Sequence, residues 1–235
     1  FWTFNTILIR PVAETMPPLQ LMFLRTLFSA LILLPYLWRT RWLALRTTRL
    51  RLHLGRSCLV FGSMLMWIYS VVYLPIGEAV TLGFTSPLFV TLLAALVLGE
   101  RVGIRRWSAV IIGFIGALII IRPGFTTFDP AVAYPLLNAT IWAVAVILAR
   151  QLTATESPVT IVAYMFIILT PITFVPALFV WQAPTIEALF LTVVLAVTLV
   201  LAQIVTMRAL SVAEASVVIP VEYVQLPVAT YLAYL

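Results

Sequence analysis

Long apolar runs dominate this sequence and decide what it can fold into. Each extends for about 20 residues, the length that an α-helix needs to cross about 30 Å of hydrocarbon. Lipid offers the backbone no hydrogen-bond partner, and barrel strands would be about half as long and would alternate, so each run must form a helix. We predict nine helical segments, numbered in chain order: 1–10 (partial), 16–38, 54–74, 76–98, 107–122, 131–151, 157–180, 186–206 and 212–235.

The amino-acid composition excludes a water-soluble globule. Charged residues make up 9% of the chain, against about 25% in soluble domains, and the mean hydropathy is +1.15. All 14 basic residues are arginine, so no lysine can form a Schiff base. One histidine and one cysteine are too few for a metal cluster or a disulfide, and we predict no metal and no cofactor. We expect His53 to be solvated at the membrane rim and Cys58 to be a buried structural thiol.

The arginines divide unequally between the two ends of the predicted helices. Two of them, Arg10 and Arg122, lie on one face and eleven lie on the other. The eleven are Arg39, Arg41, Arg46, Arg49, Arg51, Arg56, Arg101, Arg105, Arg106, Arg150 and Arg208. The positive-inside rule puts the richer face in the cytoplasm and predicts a cytoplasmic N-terminus. A lipid or nucleic-acid site in the polybasic connection after segment 2 is the alternative, but topology explains the pattern without a nucleic-acid partner.

Two stretches of the chain resemble each other. YLPIGEAVTLGFTSPLF (73–89) and ALSVAEASVVIPVEYVQ (209–225) align without gaps and pair Glu78 with Glu214. Because an odd number of helices separates the copies, they must enter the membrane from opposite sides. The pattern predicts an inverted-topology repeat, an architecture typical of secondary transporters, with a site near the middle of the membrane between the halves.

We therefore predict an all-α integral membrane helical bundle of two five-helix inverted repeats, with the first repeat at 1–122 and the second at 131–235. The chain opens with Phe1, its first apolar run is short, and it ends where a second copy of the GER turn at 99–101 would come. We expect these residues to be part of a longer protein with ten helices. About nine are present here, with the first partial and the tenth missing.

Three stretches carry a resemblance to a known family. They are MFLRTLFSALILLP in segment 2, YLPIGEAVTLGFTSPLFVTLLAALVLGERVGIRRWSAVIIGFIGALIIIRPG through segments 3 to 5, and IPVEYVQLPVA in segment 9. The chain resembles the drug/metabolite transporter superfamily, EamA type. The resemblance implies a ten-helix carrier of the bacterial inner membrane that moves a small organic metabolite, often an amino acid and usually outward.

Two charged residues lie deep inside predicted helices. Glu222 is about ten residues into segment 9, and Arg25 is about nine residues into segment 2 from the opposite face, so each lies about 15 Å deep. A lone charge at this depth costs at least about 2.5 kcal/mol and needs a polar partner. We predict that the two approach each other or share a polar network with Gln203. A salt bridge between the halves, contact with a zwitterionic substrate and proton coupling all stay open.

Prolines interrupt the helices that hold the repeated motifs. Pro220 and Pro227 each remove a backbone donor and free a carbonyl one turn earlier, so we predict a kink around Glu222. Pro87, which follows Ser86, is the counterpart in segment 4. Breaks in corresponding helices indicate a transport site. A packing kink without a ligand is the alternative.

Aromatic and amide side chains inside the predicted helices complete the candidate site, because each needs a polar partner or a cavity. For each one, core packing or an interhelical hydrogen bond is the alternative. The predicted substrate-binding residues are Arg25, Trp67, Tyr69, Ser86, Asn138, Trp142, Gln203, Glu222 and Tyr223. We expect Glu78 and Glu214 to cap helix N-termini. A small-residue stripe at Ala109, Gly113 and Ala117 predicts close packing within the chain or in a homodimer.

A membrane enzyme is the main alternative to a carrier, and a channel or a non-transporting scaffold is another. Hydrolysis or group transfer would need a metal cluster, a histidine-activated nucleophile or paired acids. The glycine-containing stretches GERVG and GFIG lack the context of a phosphate loop. We therefore predict a transporter whose partners are a small metabolite and the lipid bilayer.

Arg25→Ala and Glu222→Gln should each impair transport, because each removes a charge that the predicted central site holds at mid-membrane depth. Flux of a labelled metabolite into liposomes measures the effect. Glu187→Gln, in a predicted external connection, is the control and should transport normally. Normal flux through stably folded Arg25 and Glu222 variants would contradict the predicted site.

Overall fold

The structure is a computed structural model that describes Val12 and residues 15–41, 45–121 and 130–224. The described residues form helices and turns, with no strand among them. The α-helices are α1 (Pro18–Arg39), α2 (Leu50–Tyr73), α3 (Ile76–Gly83), α4 (Ser86–Val97), α5 (Ile104–Ile121), α6 (Ala133–Leu152), α7 (Pro158–Leu178), α8 (Ile186–Val212) and α9 (Ala215–Val218). One 3₁₀ turn (Pro130–Val132) precedes α6, and a 3₁₀ helix (Ile219–Val224) follows α9.

The observed helices confirm the predicted all-α membrane bundle. Segments 2 to 8 each contain one helix, except that segment 4 is divided into α3 and α4. Six stretches of the described chain are long and apolar enough to cross a membrane: Pro18–Arg39, Leu50–Tyr73, Glu78–Val97, Pro130–Leu152, Pro158–Leu178 and Ile186–Val212. The chain is therefore a multi-pass membrane protein. Segment 1 and the last part of segment 9, with Pro227, lie outside the described residues.

The chain divides into two compact units. Unit 1 comprises residues 1–57 and 152–209, and it contains α1, the first turns of α2, α7 and most of α8. Unit 2 comprises residues 58–151 and 210–235, and it contains most of α2, α3 to α6, α9 and the second 3₁₀ helix. Each unit draws helices from both predicted repeats. The predicted repeat arrangement itself stays a prediction.

Helix α1 packs along α7 in the core of unit 1. The Phe23 ring lies 5.1 Å from the Phe174 ring and 6.2 Å from the Trp181 ring, centroid to centroid. The hydroxyl oxygens of Thr26 and Thr173 lie 3.0 Å apart in a buried hydrogen bond. Because lipid is as apolar as these side chains, close packing and interhelical hydrogen bonds hold such helices together.

A buried amide ties the start of α1 to the turn after α7. Gln20 is fully buried, and its Nε2 donates to the backbone carbonyl of Gln182 at 2.7 Å. Its Oε1 accepts from the backbone N–H of the same residue at 2.9 Å. The side chain thus satisfies a donor and an acceptor that the turn leaves outside any helix.

In unit 2, helix α4 packs against α9 and the 3₁₀ helix, and α5 packs against the same 3₁₀ helix. Helix α4 ends at a glycine in the left-handed region, Gly99, with φ +68°. The N–H of Glu100 then bonds the carbonyl of Ala94 at 3.1 Å, a C-cap that glycine allows without steric cost. This turn places the Glu100 carboxylate beside the start of α9.

Gln20→Leu should lower the free energy of unfolding by about 1–3 kcal/mol, because it removes both hydrogen bonds to the backbone of Gln182 and leaves these partly buried groups without partners. Thermal unfolding of the purified protein in detergent measures the change. Gln182→Ala is the matched control, since it removes an exposed side chain and keeps the backbone bonds. Equal unfolding midpoints for the two variants would show that the amide contributes nothing.

Candidate functional site

The boundary between α3 and α4 is a helix break that exposes a backbone carbonyl. Pro87 in the first turn of α4 has no N–H to donate. The N–H of Leu88 bonds the carbonyl of Thr85 at 3.0 Å, and the N–H of Thr85 bonds Leu82 at 3.1 Å. This tight turn leaves the carbonyl of Phe84 outside the helical ladder, at a depth where lipid would offer no donor. The predicted break at Pro87 is therefore present.

A tyrosine in segment 9, the other segment with a predicted break, donates a hydrogen bond to this carbonyl. The Tyr223 hydroxyl donates to the Phe84 carbonyl at 2.8 Å, and the two rings stack with centroids 5.8 Å apart. Tyr223 lies in the 3₁₀ helix Ile219–Val224, which also contains Pro220, so segment 9 is irregular where the sequence predicts a kink. Segments 4 and 9 thus meet within unit 2, where the Tyr223 hydroxyl of segment 9 satisfies the free carbonyl of Phe84 in segment 4.

A glycine makes room for this contact. A Cβ added at Gly113 of α5 would lie 2.5 Å from Cδ2 of the Tyr223 ring, far inside van der Waals contact. Gly113 belongs to the predicted small-residue stripe. The Tyr223 ring approaches its backbone so closely that no side chain would fit there. Ala109, in the same stripe, is exposed.

An acid from the end of α4 caps the start of α9. The Glu100 carboxylate accepts hydrogen bonds from the backbone N–H groups of Ala215 and Ser216 at 2.8 and 3.0 Å. It also accepts from the Ser216 hydroxyl at 2.6 Å. Arg106 donates to the same hydroxyl at 3.0 Å and forms an ion pair with Glu214. These hydrogen bonds and the ion pair stabilise the N-terminus of α9 in segment 9.

The predicted capping role of Glu214 is therefore wrong in its detail. Glu214 occupies the N-cap position of α9 but makes no capping hydrogen bond with its side chain, because Glu100 binds the amides instead. Glu78 lies in the first turn of α3, as predicted. Sequence reasoning missed Glu100, although its position directly after a helix-ending glycine is a usable signal.

Several predicted site residues lie in unit 2, on α2, α4 and α6. Asn138 donates through Nδ2 to the carbonyl and the hydroxyl of Ser63 at 2.6 and 3.0 Å, so this amide bridges α6 to α2. Trp67 packs against Gly83, where an added Cβ would lie 3.3 Å from the ring. The Ser86 hydroxyl is buried without a hydrogen-bond partner among the described residues. Trp142, another predicted site residue, is partly buried in α6.

Three tyrosines form an aromatic cluster in unit 2. Tyr69 and Tyr73 lie one turn apart near the end of α2, and Tyr134 lies at the start of α6. Their ring centroids lie 5.5 to 6.2 Å apart, and their planes are inclined by 14° to 28°. Tyr69 is 43% exposed and Tyr73 58% exposed. Of the three, only Tyr69 is among the predicted site residues, because the other two lie at segment ends.

Glu222 lies beside Tyr223 on the 3₁₀ helix and is partly buried. No described side chain or backbone group donates a hydrogen bond to its carboxylate. Arg25 and Gln203, its predicted partners, belong to unit 1. The Nε of Arg25 is buried with no acceptor among the described residues, and Gln203 is 4% exposed on α8. Their approach to Glu222 stays a prediction.

The predictions for the lone histidine and cysteine are wrong. His53 is 1% exposed; its ring stacks on Tyr164 with centroids 4.3 Å apart, and its Nε2 lies 3.7 Å from a Glu156 oxygen. The Tyr164 hydroxyl in turn donates to the carbonyl of Leu45 at 2.5 Å, so Tyr164 contacts both Leu45 and the first turn of α2. Cys58, which lies further along the same helix, is exposed.

Gly113→Ala should lower the free energy of unfolding by about 1–3 kcal/mol, because the added methyl group displaces the Tyr223 ring. Thermal unfolding in detergent gives the comparison. Gly116→Ala is the matched control on the same helix, since an added Cβ there meets nothing within 4 Å. Gly116→Ala should be neutral or stabilise by up to about 1 kcal/mol. Equal destabilisation by both variants would show that the Tyr223 contact is not the cause.

Known proteins resemble this chain in sequence and in fold. The riboflavin transporter of Vibrio cholerae is 36% identical over 203 residues, which cover 85% of this chain and 68% of that protein. The S-adenosylmethionine uptake transporter of Rickettsia prowazekii is 27% identical over 98% of this chain and 78% of its own length. The pseudopaline exporter of Pseudomonas aeruginosa is 27% identical over 92% of this chain and 77% of its own length.

A protein of known crystal structure shares the fold with a TM-score of 0.84. It is 16% identical and covers 98% of this chain and 82% of its own. The EamA-like transporter family model matches residues 1–122, more than half of the chain. These relatives are transporters rather than enzymes. The chain belongs to the EamA-like transporter family and is a transporter of a small metabolite.

Proposed function

We propose that this chain carries riboflavin, or a metabolite with a similar flat heterocycle, across the bacterial inner membrane. The identity of 36% to a protein named a riboflavin transporter is the observation that favours this substrate. The resemblance to a protein named for S-adenosylmethionine uptake points to a second metabolite with a flat heterocycle. An amino acid, the class expected from the sequence, has no such ring system in most cases.

The tyrosine cluster of unit 2 supports a flat aromatic substrate. Tyr69, Tyr73 and Tyr134 present nearly parallel rings, and the side chains of Tyr69 and Tyr73 are exposed. Aromatic rings bind one another by offset stacking. Asn138 lies one turn further along α6 from Tyr134, where its amide oxygen is available to the polar groups of a heterocycle. The cluster would bind the ring at one end of the transport path.

The helix break supports a polar binding site deeper in unit 2. The break at Phe84 and the 3₁₀ helix around Glu222 bring irregular backbone to the middle of two segments, and such backbone lines substrate sites in many carriers. The Ser86 hydroxyl is buried without a partner among the described residues, and Glu222 is partly buried on the 3₁₀ helix. Hydroxyl groups of a substrate side chain would satisfy them.

Alternating access of two inverted repeats is the proposed mechanism. Within unit 1, α1 packs on α7, and within unit 2, α4 packs on α9 and the 3₁₀ helix. Each pair joins segments that correspond in the predicted repeats, 2 with 7 and 4 with 9. A two-fold axis in the membrane plane would produce this pairing. The cytoplasmic N-terminus predicted from the arginines belongs to the same proposal.

The direction of transport is proposed to be inward. One relative is named for uptake and matches 98% of this chain, whereas the export expected from the sequence is represented by a relative that matches 92%. Export is therefore the alternative direction, and a flux assay separates the two.

Expression in a bacterial strain that cannot make riboflavin should restore growth and the accumulation of labelled riboflavin. Tyr134→Ala should raise the KM for riboflavin about two- to tenfold, because one aromatic pair contributes about 0.5–1.5 kcal/mol. Phe190→Ala, which removes an exposed aromatic ring of α8 in unit 1, is the control and should leave the KM unchanged.

Competition with unlabelled S-adenosylmethionine and with amino acids tests the substrate class. Inhibition by riboflavin alone supports the proposal. Transport of S-adenosylmethionine or an amino acid without riboflavin would overturn the proposed substrate and leave the transporter function intact. Efflux from preloaded cells without accumulation would reverse the proposed direction.

A further inference from the structure

A cationic pocket lies in unit 1, and none of its lining residues is among those proposed to bind the carried metabolite. It occupies about 610 Å³ between the end of α1 and the start of α7. Arg39, Arg41 and Arg46 line it, together with Thr155. Arg39 is the last residue of α1, so the pocket begins where an apolar helix of 22 residues ends.

The three guanidinium groups have no counterion among the described residues. All three arginines are exposed, and none of their side chains makes a hydrogen bond or an ion pair with a described residue. Arginine side chains that line one pocket repel one another, and the energetic cost of this repulsion falls when an anion enters. The three arginines therefore contribute three positive charges that no described acid pairs with directly, while one carboxylate, Glu156, also lines the pocket.

The carboxylate in the pocket wall does not serve as the missing counterion. Glu156 is 6% exposed, and it accepts a hydrogen bond from the Thr47 hydroxyl. Its other oxygen lies 3.7 Å from His53 Nε2. The acid is thus directed into the protein, toward groups that lie behind the pocket.

The chemistry of the lining fits a phosphate ester. The planar guanidinium fork donates two parallel hydrogen bonds to phosphate oxygens, and arginine is the preferred residue for this contact. The exposed Thr155 hydroxyl has no described partner and adds a neutral donor. The concave shape admits a small anionic group from one side.

The position at a helix end favours a lipid as the source of the phosphate. Trp38, next to Arg39, is 78% exposed, and exposed tryptophans at helix ends lie at the level of lipid headgroups. Basic pockets at that level bind anionic headgroups. We propose that Arg39, Arg41 and Arg46 form a binding site for a phosphate ester anion, supplied by the headgroup of an anionic phospholipid.

Titration of the purified full chain in uncharged detergent with dioctanoyl phosphatidylglycerol tests the site by native mass spectrometry. We expect saturable binding of the anionic lipid and none of dioctanoyl phosphatidylcholine, whose headgroup has no net charge. The Arg39→Gln, Arg41→Gln, Arg46→Gln triple variant should bind the anionic lipid at least about tenfold more weakly. Because all three residues are exposed, the variant should fold, which size-exclusion chromatography checks.

A charge-matched triple variant separates the site from bulk electrostatics. Arg51→Gln, Arg101→Gln, Arg105→Gln removes three exposed arginines outside the pocket and should bind phosphatidylglycerol as the unaltered chain does. Equal losses in both triple variants, or no saturable binding of any phosphate compound, would overturn the proposal. Glycerol 3-phosphate or inorganic phosphate binding as tightly as the lipid would support the same site and assign it to a soluble phosphate.

Discussion

The hydrogen bond from the Tyr223 hydroxyl to the Phe84 carbonyl is the interaction on which the organisation of unit 2 depends. In lipid each backbone group needs a protein partner, and an unsatisfied carbonyl costs several kcal/mol. The turn at Thr85 and Pro87 frees one such carbonyl in segment 4. A side chain from the irregular part of segment 9 satisfies it. The absence of a side chain at Gly113 lets the tyrosine ring fit.

The acids of unit 2 show which charges are structural and which are available. Glu100 and Glu214 both lie at helix ends. Glu100 accepts hydrogen bonds from two backbone amides and a hydroxyl, and Glu214 forms an ion pair with Arg106. Glu222 lies on the broken segment and has no described hydrogen-bond donor. A carrier needs polar groups that the substrate or a proton can satisfy in turn. This contrast favours Glu222 over the other acids as a functional group.

The helices were predictable from the sequence because lipid leaves the backbone few choices. Apolar runs had to become helices, and the prolines of the two similar stretches, Pro87 and Pro220, indicated where the breaks would fall. Proline alone does not decide this, because Pro35, Pro171 and Pro176 lie inside continuous helices. Which side chain would bind which helix end was not predictable. The capping of α9 by Glu100 joins groups more than a hundred residues apart in the chain, and local pattern carries no information about such a pairing.

The direction in which a side chain faces was also hard to predict. Membrane helices are apolar on the side that faces lipid and on the side that faces protein, so periodicity does not separate the two. Cys58 was expected to be buried and is exposed, and His53 was expected to be solvated and is buried against Tyr164. Asn138 was a candidate for substrate contact, and its Nδ2 is engaged by Ser63. For that reason only part of the candidate site could be predicted.

The proposal that Glu222 faces the transport path is tested most directly by the accessibility of position 222 to water. A Glu222→Cys variant in a Cys58→Ser background carries one thiol, since Cys58 is the sole native cysteine. A membrane-impermeant, charged maleimide should label this thiol from an aqueous phase, and the transported metabolite should slow the labelling. Labelling by an apolar maleimide alone, at a rate that the metabolite does not change, would place the residue against lipid and contradict the account.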